Sequence, residues 1–536
     1  MNHSAQQDSR SEATRLLCAG TYLDIDFRRR VIEELVEHEE RPIAPSLGVD
    51  IVPVLTHALR ARAQDITTAL LLLGLWLVFV LVDAATYGAP VWAAAYAGVC
   101  FLHWGVQAAA GRGSSVYVVD RRTLRQALKG SGALRALRAA LPVLPPLVSL
   151  GYWVLALGAL VLGAGDWVAV IFPLLLVLPV WNHRTRVAAV MRNELGRQHF
   201  ARQPRAFPAS TYHRRIADAI AREQYAGLTI YDPSRPFIGM GRPYEPWSFA
   251  LELKRGKHMA GENGAAPFTG PFTGRLVVDL IRPRLEALRE AAAATSRDRL
   301  KDLEIDEFVY LPVGPQRFAV DYTDLTVRRH LDDSVDEGGE GRRYFLRVRI
   351  GAWDEQVVVS VLVRVHTQGG MLVLEVVPHV LTPIRPEFRA VDVIAGRGEE
   401  DLLRDGLRAL LSAPAAGFAA AVSALRSAVC GFRTWLHDPQ RAVPDGPADS
   451  VRELAGVQRV SLFQEMDISR YVKTVQDRIA SGVREALRSQ GYQTDQFEQQ
   501  IVQISEGGTY IGSMSGGAVA VGAGAEATST AGSGGR

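Results

Sequence analysis

Apolar residues crowd into positions 66–182, and the rest of the chain reads as polar as a soluble domain. Four windows in that stretch, 66–85, 90–110, 144–162 and 167–181, have the apolarity to cross a bilayer core. Such a crossing of about 30 Å takes about 20 residues of helix. Residues 86–89 and 163–166 join the windows in pairs. The pattern therefore predicts a membrane α-helical region, four transmembrane helices in two hairpins covering 65–110 and 141–182. Buried helices of a large soluble core are the alternative, but these rarely come as two tightly joined pairs.

The polar flanks give an orientation. Neither short turn holds a Lys or Arg. Arg60 and Arg62 precede the first window, and Arg112, Arg121, Arg122, Arg125, Lys129, Arg135 and Arg138 lie between the hairpins. Arg184, Arg186, Arg192, Arg197, Arg202 and Arg205 follow the fourth window. Basic loops stay inside, so all three flanks and both termini are expected in the cytoplasm. Almost nothing is left outside to act as an extracellular receptor.

Around the membrane region the chain divides by pattern. Residues 1–64 read as cytoplasmic helices, with an amphipathic stretch at 26–39 broken by Pro42 and Pro45. A further helix from about Pro53 is expected to run directly into the first span. The basic loop 111–140 carries a helix at 121–139 suited to anionic headgroups, each basic residue there contributing about 1 kcal/mol. Residues 183–235 read as basic juxtamembrane helices, one of them at 212–225. In 236–400 the period shortens to two: a strand at 275–281, a helix at 284–294, a strand at 307–311, then a meander at 343–350, 356–366 and 371–380. Gly369-Gly370 marks the last tight turn. This predicts a cytoplasmic α+β domain with an antiparallel sheet.

Residues 401–490 continue as helices, at about 399–412 and 416–436 and then in a segment that Asp467 can cap. Ile468, Val472, Val475, Ile479, Val483 and Leu487 form one stripe of that last helix, which ends at Gly491. A Gly/Ala-rich tail occupies 491–536.

Composition narrows the class. The 536 residues are 48% apolar with a net charge of +3, so no global field points to nucleic acid. Only five of the 60 basic residues are lysines, an Arg bias that fits a high-GC bacterial genome. Cys18, Cys100 and Cys430 are isolated, with no metal-like spacing and no disulfide framework. The first 40 residues lack the apolar core of a cleavable signal peptide.

The search for chemistry yields candidates of another kind. The twelve histidines show no helical metal spacing, and no Walker A, GxSxG, HExxH or kinase set occurs. His366 and His379 fall on neighbouring strands, but the Gly369-Gly370 turn does not place them opposite each other. The acidic run Asp332–Glu340 lacks the ligand spacing of a calcium loop and reads as solvated. No catalytic residue, cofactor or metal is expected, and the chain does not read as an enzyme. Asp83, His103 and Gln107 are the intramembrane polar candidates, since burying them in lipid is costly. The 231–249 stretch is rich in Pro and Gly, so no regular element is expected there. Its Phe237, Tyr244, Trp247 and Phe249 either pack onto the domain or dock a partner. In the tail, Ile511, Met514, Val519 and Val521 lie in a low-charge, proline-free segment able to pair with copies of itself.

The stretch Pro236-Phe-Ile-Gly-Met-Gly-Arg-Pro-Tyr-Glu-Pro-Trp-Ser-Phe249, the turn Gly351-Ala-Trp-Asp-Glu355 and the segment 507–522 together resemble a family of actinobacterial multi-pass membrane proteins with no assigned activity. The resemblance implies a bacterial cytoplasmic membrane and supplies no catalytic residue. The expected function is a membrane-anchored cytoplasmic scaffold or adaptor that binds an unknown cytoplasmic protein and self-assembles as a homo-oligomer. Its basic loops would rest on the anionic headgroups of the lipid bilayer. The alternative is a channel or membrane-permeabilising effector built from oligomerised transmembrane helices.

Overall fold

The computed structural model describes residues 8–109, 144–162, 167–255, 271–295, 298–339, 341–396, 429 and 445–505. The basic loop 111–140, the turn 163–166, the helices expected at 399–412 and 416–436 (Val429 apart) and the tail candidates Ile511, Met514, Val519 and Val521 lie outside the described residues. The chain forms two compact units. One comprises Met1–Tyr225, Val313–Val320 and Pro383–Val457; the other comprises Ala226–Pro312, Asp321–Thr382 and Gln458–Arg536.

The first unit is helical. Its described helices are α1 (Glu12–Leu23), α2 (Ile25–Ile32), α3 (Ile51–Tyr87), α4 (Val91–Ala109), α5 (Leu144–Leu162), α6 (Val168–Asn193) and α7 (Thr211–Glu223), with two single turns at Arg197–Phe200 and Val451–Leu454 and a short later helix, α10 (Ala390–Ala395). Two cores divide it. Leu16, Leu17, Phe27, Val52, Leu55, Val187, Met191, Ile220, Phe388 and Val391 build one. Leu72, Phe79, Tyr96, Tyr152, Phe172 and Leu176 build the other, between α3, α4, α5 and α6. Phe79 and Phe172 stack there 4.9 Å apart, 4° from parallel.

Around that second core the helices turn apolar side chains outward: Leu77 is 61% exposed and Leu155 67%. Three helices, α3, α6 and the Pro145–Leu162 part of α5, are long and apolar enough to cross a membrane. Helix α4 is 19 residues long and apolar over Val91–Val106. Among the described residues three helices meet that measure, where the sequence pattern predicts four. The first apolar window does continue an N-terminal helix, as expected: α3 is one helix of 37 residues, about 55 Å long at 1.5 Å per residue.

The second unit holds a seven-stranded sheet: β1 (Leu228–Tyr231), β2 (Arg242–Pro243), β3 (Trp247–Glu252), β4 (Glu304–Pro312), β5 (Arg343–Ala352), β6 (Val357–Gln368) and β7 (Met371–Leu381). The order is β1-β4-β5-β6-β7-β2, with β3 also on β7. The meander forms as read, but β1 pairs with β4 in parallel, so the sheet is mixed and not purely antiparallel. β3 emerges from a stretch expected to be irregular, because its alternate residues Phe249 and Leu251 are buried in the domain core.

Helices α8 (Gly274–Thr295), α9 (Asp324–Ser334), α11 (Leu462–Ser489) and α12 (Asp495–Ser505) accompany the sheet. The strand expected at 275–281 is helical: α8 runs through it and past Pro283. Val277, Val278, Ile281 and Leu285, spaced for one helical face, bury against the core that also takes the stripe of α11. Helix α11 starts earlier than expected. Ser461 caps it in a reciprocal box with Gln464, and Asp467 instead accepts a hydrogen bond from Trp353 Nε1 at 3.2 Å. The body also extends beyond Gly491, since Phe497 of α12 is fully buried.

Candidate functional site

Strand alternation gives the sheet two different faces. Val357, Val359, Val361, Val363 and Val365 of β6 point into the helix-covered core. Ser360, between them, lies on the other face, in register with Arg349 of β5 and His379 of β7. Phe345 on β5, and Phe308 and Tyr310 on β4, share that second face and cluster by their rings.

A strap of residues 232–246 delivers one more ring. Asp232 Oδ1 accepts from both the amide and the hydroxyl of Ser234 at 2.8 Å, turning the chain back after β1. Gly241, at φ +91°, passes so close to β7 that a Cβ there would lie 2.2 Å from the Val380 carbonyl oxygen. The Tyr244 amide donates to the Pro378 carbonyl at 2.8 Å. Between these fixed points Met240 is fully buried and half-buried Phe237 lies over the sheet. Its ring centroid is 5.7 Å from Tyr310, 6.0 Å from Phe345 and 4.8 Å from the imidazole of His379. One side chain thus touches residues of β4, β5 and β7.

Polar groups on this face of the sheet are incompletely satisfied. Ser360 Oγ, Tyr310 Oη and His366 Nδ1 are buried without a hydrogen-bond partner. Each such group costs on the order of 1–3 kcal/mol. Burial pushes the Tyr310 phenol well above its ordinary range, so it stays a donor. Burial also lowers the pKa of His379, against a smaller opposing effect of the Val377 carbonyl 3.2 Å from its Nδ1. The imidazole is therefore neutral near pH 7. Three arginines of this face have carboxylate partners: Arg347 pairs with Asp306 at 3.1 Å, Arg349 with Glu304 at 2.7 Å and with Glu355, and Arg364 with Glu375 at 3.4 Å. The surface is aromatic and polar.

The other sequence-predicted residues fall elsewhere. Trp247 stacks on Phe249 at 5.7 Å, and Phe249 meets Phe497 edge-on at 5.6 Å. Tyr244 packs against the same core. Of the four rings, Phe249 is buried in its own domain, while Phe237, Tyr244 and Trp247 are half-buried against it. Asp83 is fully buried, and its Oδ2 accepts the Ala93 amide at 2.9 Å, closing the turn between α3 and α4. His103 Nδ1 lies 3.0 Å from the Val99 carbonyl of its own helix. Gln107 occupies the last turns of α4, and its side chain is not among those described. The acidic run is ion-paired in part, with Asp332 3.3 Å from Arg275 and Glu337 2.8 Å from Arg342. Among the described residues no three His, Cys, Asp or Glu side chains gather as a metal site needs.

Sequence reasoning passed over Ser360 and Tyr310. The signal for Ser360 was present, as the one polar residue in the run Val357-Val-Val-Ser-Val-Leu-Val363.

A helical unit with membrane-length helices, joined in one chain to an α+β unit with a mixed sheet, defines the class. The family model of the AbeC-like domain matches residues 246–517, and the chain belongs to that family. The comparison with curated proteins finds no match, and the comparison with solved structures finds none either. The match opens one residue before β3 and takes in α8, β4 to β7, α11 and α12. The Phe237 strap precedes it.

Proposed function

We propose that this chain is a membrane-anchored scaffold or adaptor, which holds its AbeC-like domain at the cytoplasmic face of a bacterial membrane for a protein partner. The observation that carries this reading is the continuity of α3 and α6. Val52, Leu55 and Ala58 of α3, and Val187 and Met191 of α6, sit in the helical core. Further along the same two helices, Leu72, Phe79, Phe172 and Leu176 sit in the second apolar core. A helix without a break transmits position, where a flexible linker would not. Four crossings, with α4 as the shorter one, would return both termini to the cytoplasm and set the Arg-rich flanks on anionic headgroups. The Gly/Ala tail with Ile511, Met514, Val519 and Val521 supplies self-association.

The test is the mass of the full chain in detergent beside a truncation after Ser505, which spares buried Phe497 as a cut at Gly491 does not. The scaffold reading expects a defined oligomer that shrinks on truncation; two monomers would remove self-assembly from it.

A channel is the second reading, favoured by one atom: Asp83 Oδ1, buried among the apolar helices with no hydrogen-bond partner. Purified protein in liposomes would then leak ions, less so as Asp83→Asn. Sealed liposomes end that reading and leave the scaffold.

A further inference from the structure

We infer that the face beneath the strap is a binding site for a small, uncharged aromatic molecule bearing a hydroxyl group, and that the ring of Phe237 holds its place. The inference goes beyond the scaffold reading and does not depend on it.

Shape comes first. The slot is lined by rings from three strands, Tyr310, Phe345 and His379, all within 6.0 Å of one phenyl group. They meet it tilted or edge-on, at interplanar angles of 75°, 71° and 49°, the geometry in which ring edges point at a ring face. A six-membered ring is therefore what this space accepts.

Polarity is the second observation, and here Phe237 is the wrong occupant. Ser360 has no exposed surface and Tyr310 has 2%, yet Ser360 Oγ and Tyr310 Oη bond to nothing. Both belong to the face that Phe237 covers. A phenyl ring offers them no donor or acceptor, whereas a ring carrying a hydroxyl can do both. The strap matches the site in shape and fails it in hydrogen bonding.

Charge selects further. Three of the arginines on the face, Arg347, Arg349 and Arg364, each have a carboxylate partner, so an anion would have to compete for them. A cation would likewise have to compete for Glu304, Glu355 and Glu375, which are the arginines' partners. An uncharged ligand is the one that leaves these pairs intact. Pro233, Ser234 and Arg235 of the strap are exposed, while Met240 and Gly241 are held against the body.

Thermal melting of the full chain in detergent, with phenol and toluene as probes, tests this. In Phe237→Ala the slot is vacated, and phenol is expected to raise the melting midpoint and bind about tenfold more tightly than toluene, the factor one added hydrogen bond gives. Adding Ser360→Ala to that variant should abolish the difference between the probes. The unmodified chain should need more phenol for the same shift, because Phe237 competes. A Phe237→Ala protein that melts cooperatively but ignores phenol, or takes phenol and toluene equally, overturns the inference. If that variant does not melt cooperatively, Phe237→Leu takes its place with saturation-transfer NMR of phenol. Transfer abolished by Ser360→Ala supports the site, and absence of transfer overturns it.

Discussion

Arg317 enters the helical unit on the short segment Val313–Val320 and donates from Nε and Nη2 to the two oxygens of Glu223, at 2.7 and 2.9 Å. Both side chains are buried, and Glu223 also accepts the Ile43 amide at 3.0 Å. Removing one partner strands the other charge without water, so Arg317→Ala should lower stability by about 3–5 kcal/mol. Arg60→Ala, whose pair with Glu194 is half exposed, should change it by about 0–1 kcal/mol. Denaturant melts of the two variants check the contrast; similar losses would contradict it. The histidines of the sheet make a second residue-scale prediction. His379 and His366 are both held below the ordinary histidine pKa by burial, His366 also by Arg364. The unfolded chain takes up these protons near pH 6.5 and the folded one does so only lower. The stability they contribute is complete above that pH and drains away as pH falls. The melting midpoint should drop between about pH 7 and 5, and the double variant His379→Asn, His366→Asn should flatten that drop.

At the scale of elements, legibility followed the strength of local pattern. The meander of β5, β6 and β7 could be read from Val-rich alternation and Gly369-Gly370, because those signals lie within each strand. The parallel partnership of β1 and β4 joins segments some 80 residues apart (Leu228 with Val309), and no local pattern encodes it. Residues 275–281 misled because Leu276-Val-Val-Asp-Leu-Ile281 suits a strand in isolation, while packing on α11 decides for helix. That packing is tight. A Cβ on Gly482 of α11 would lie 2.7 Å from Cα of Ile281. Gly482→Ala should therefore push the helices apart and cost about 1–3 kcal/mol, despite the better helix propensity of Ala. An unchanged or raised melting midpoint would show that the two helices can separate freely. The start of α11 was legible in Ser461-Leu-Phe-Gln464, a capping box passed over in favour of Asp467. The ring slot was only half legible. Phe237 stands out in its loop, but the strands it covers come together only in the fold.

For the whole molecule, the account turns on α3 and α6 being at once part of a folded core and part of a membrane span. The exposed start of α11, with Phe463 72% exposed beside Leu462 and Met466, is a further apolar surface on the other unit. The strained left-handed turn Trp353-Asp-Glu355, with φ between 54° and 63°, brings Trp353 to Asp467 of the same helix. Anchoring is the claim to test first, by the accessibility of single cysteines in spheroplasts. Cys18, Cys100 and Cys430 would be replaced by Ser, and one cysteine returned as Tyr87→Cys at the end of α3 or Arg202→Cys beyond α6. The account predicts that a membrane-impermeant maleimide labels position 87 in intact spheroplasts and position 202 only after permeabilisation. Equal labelling of both positions before permeabilisation would contradict it.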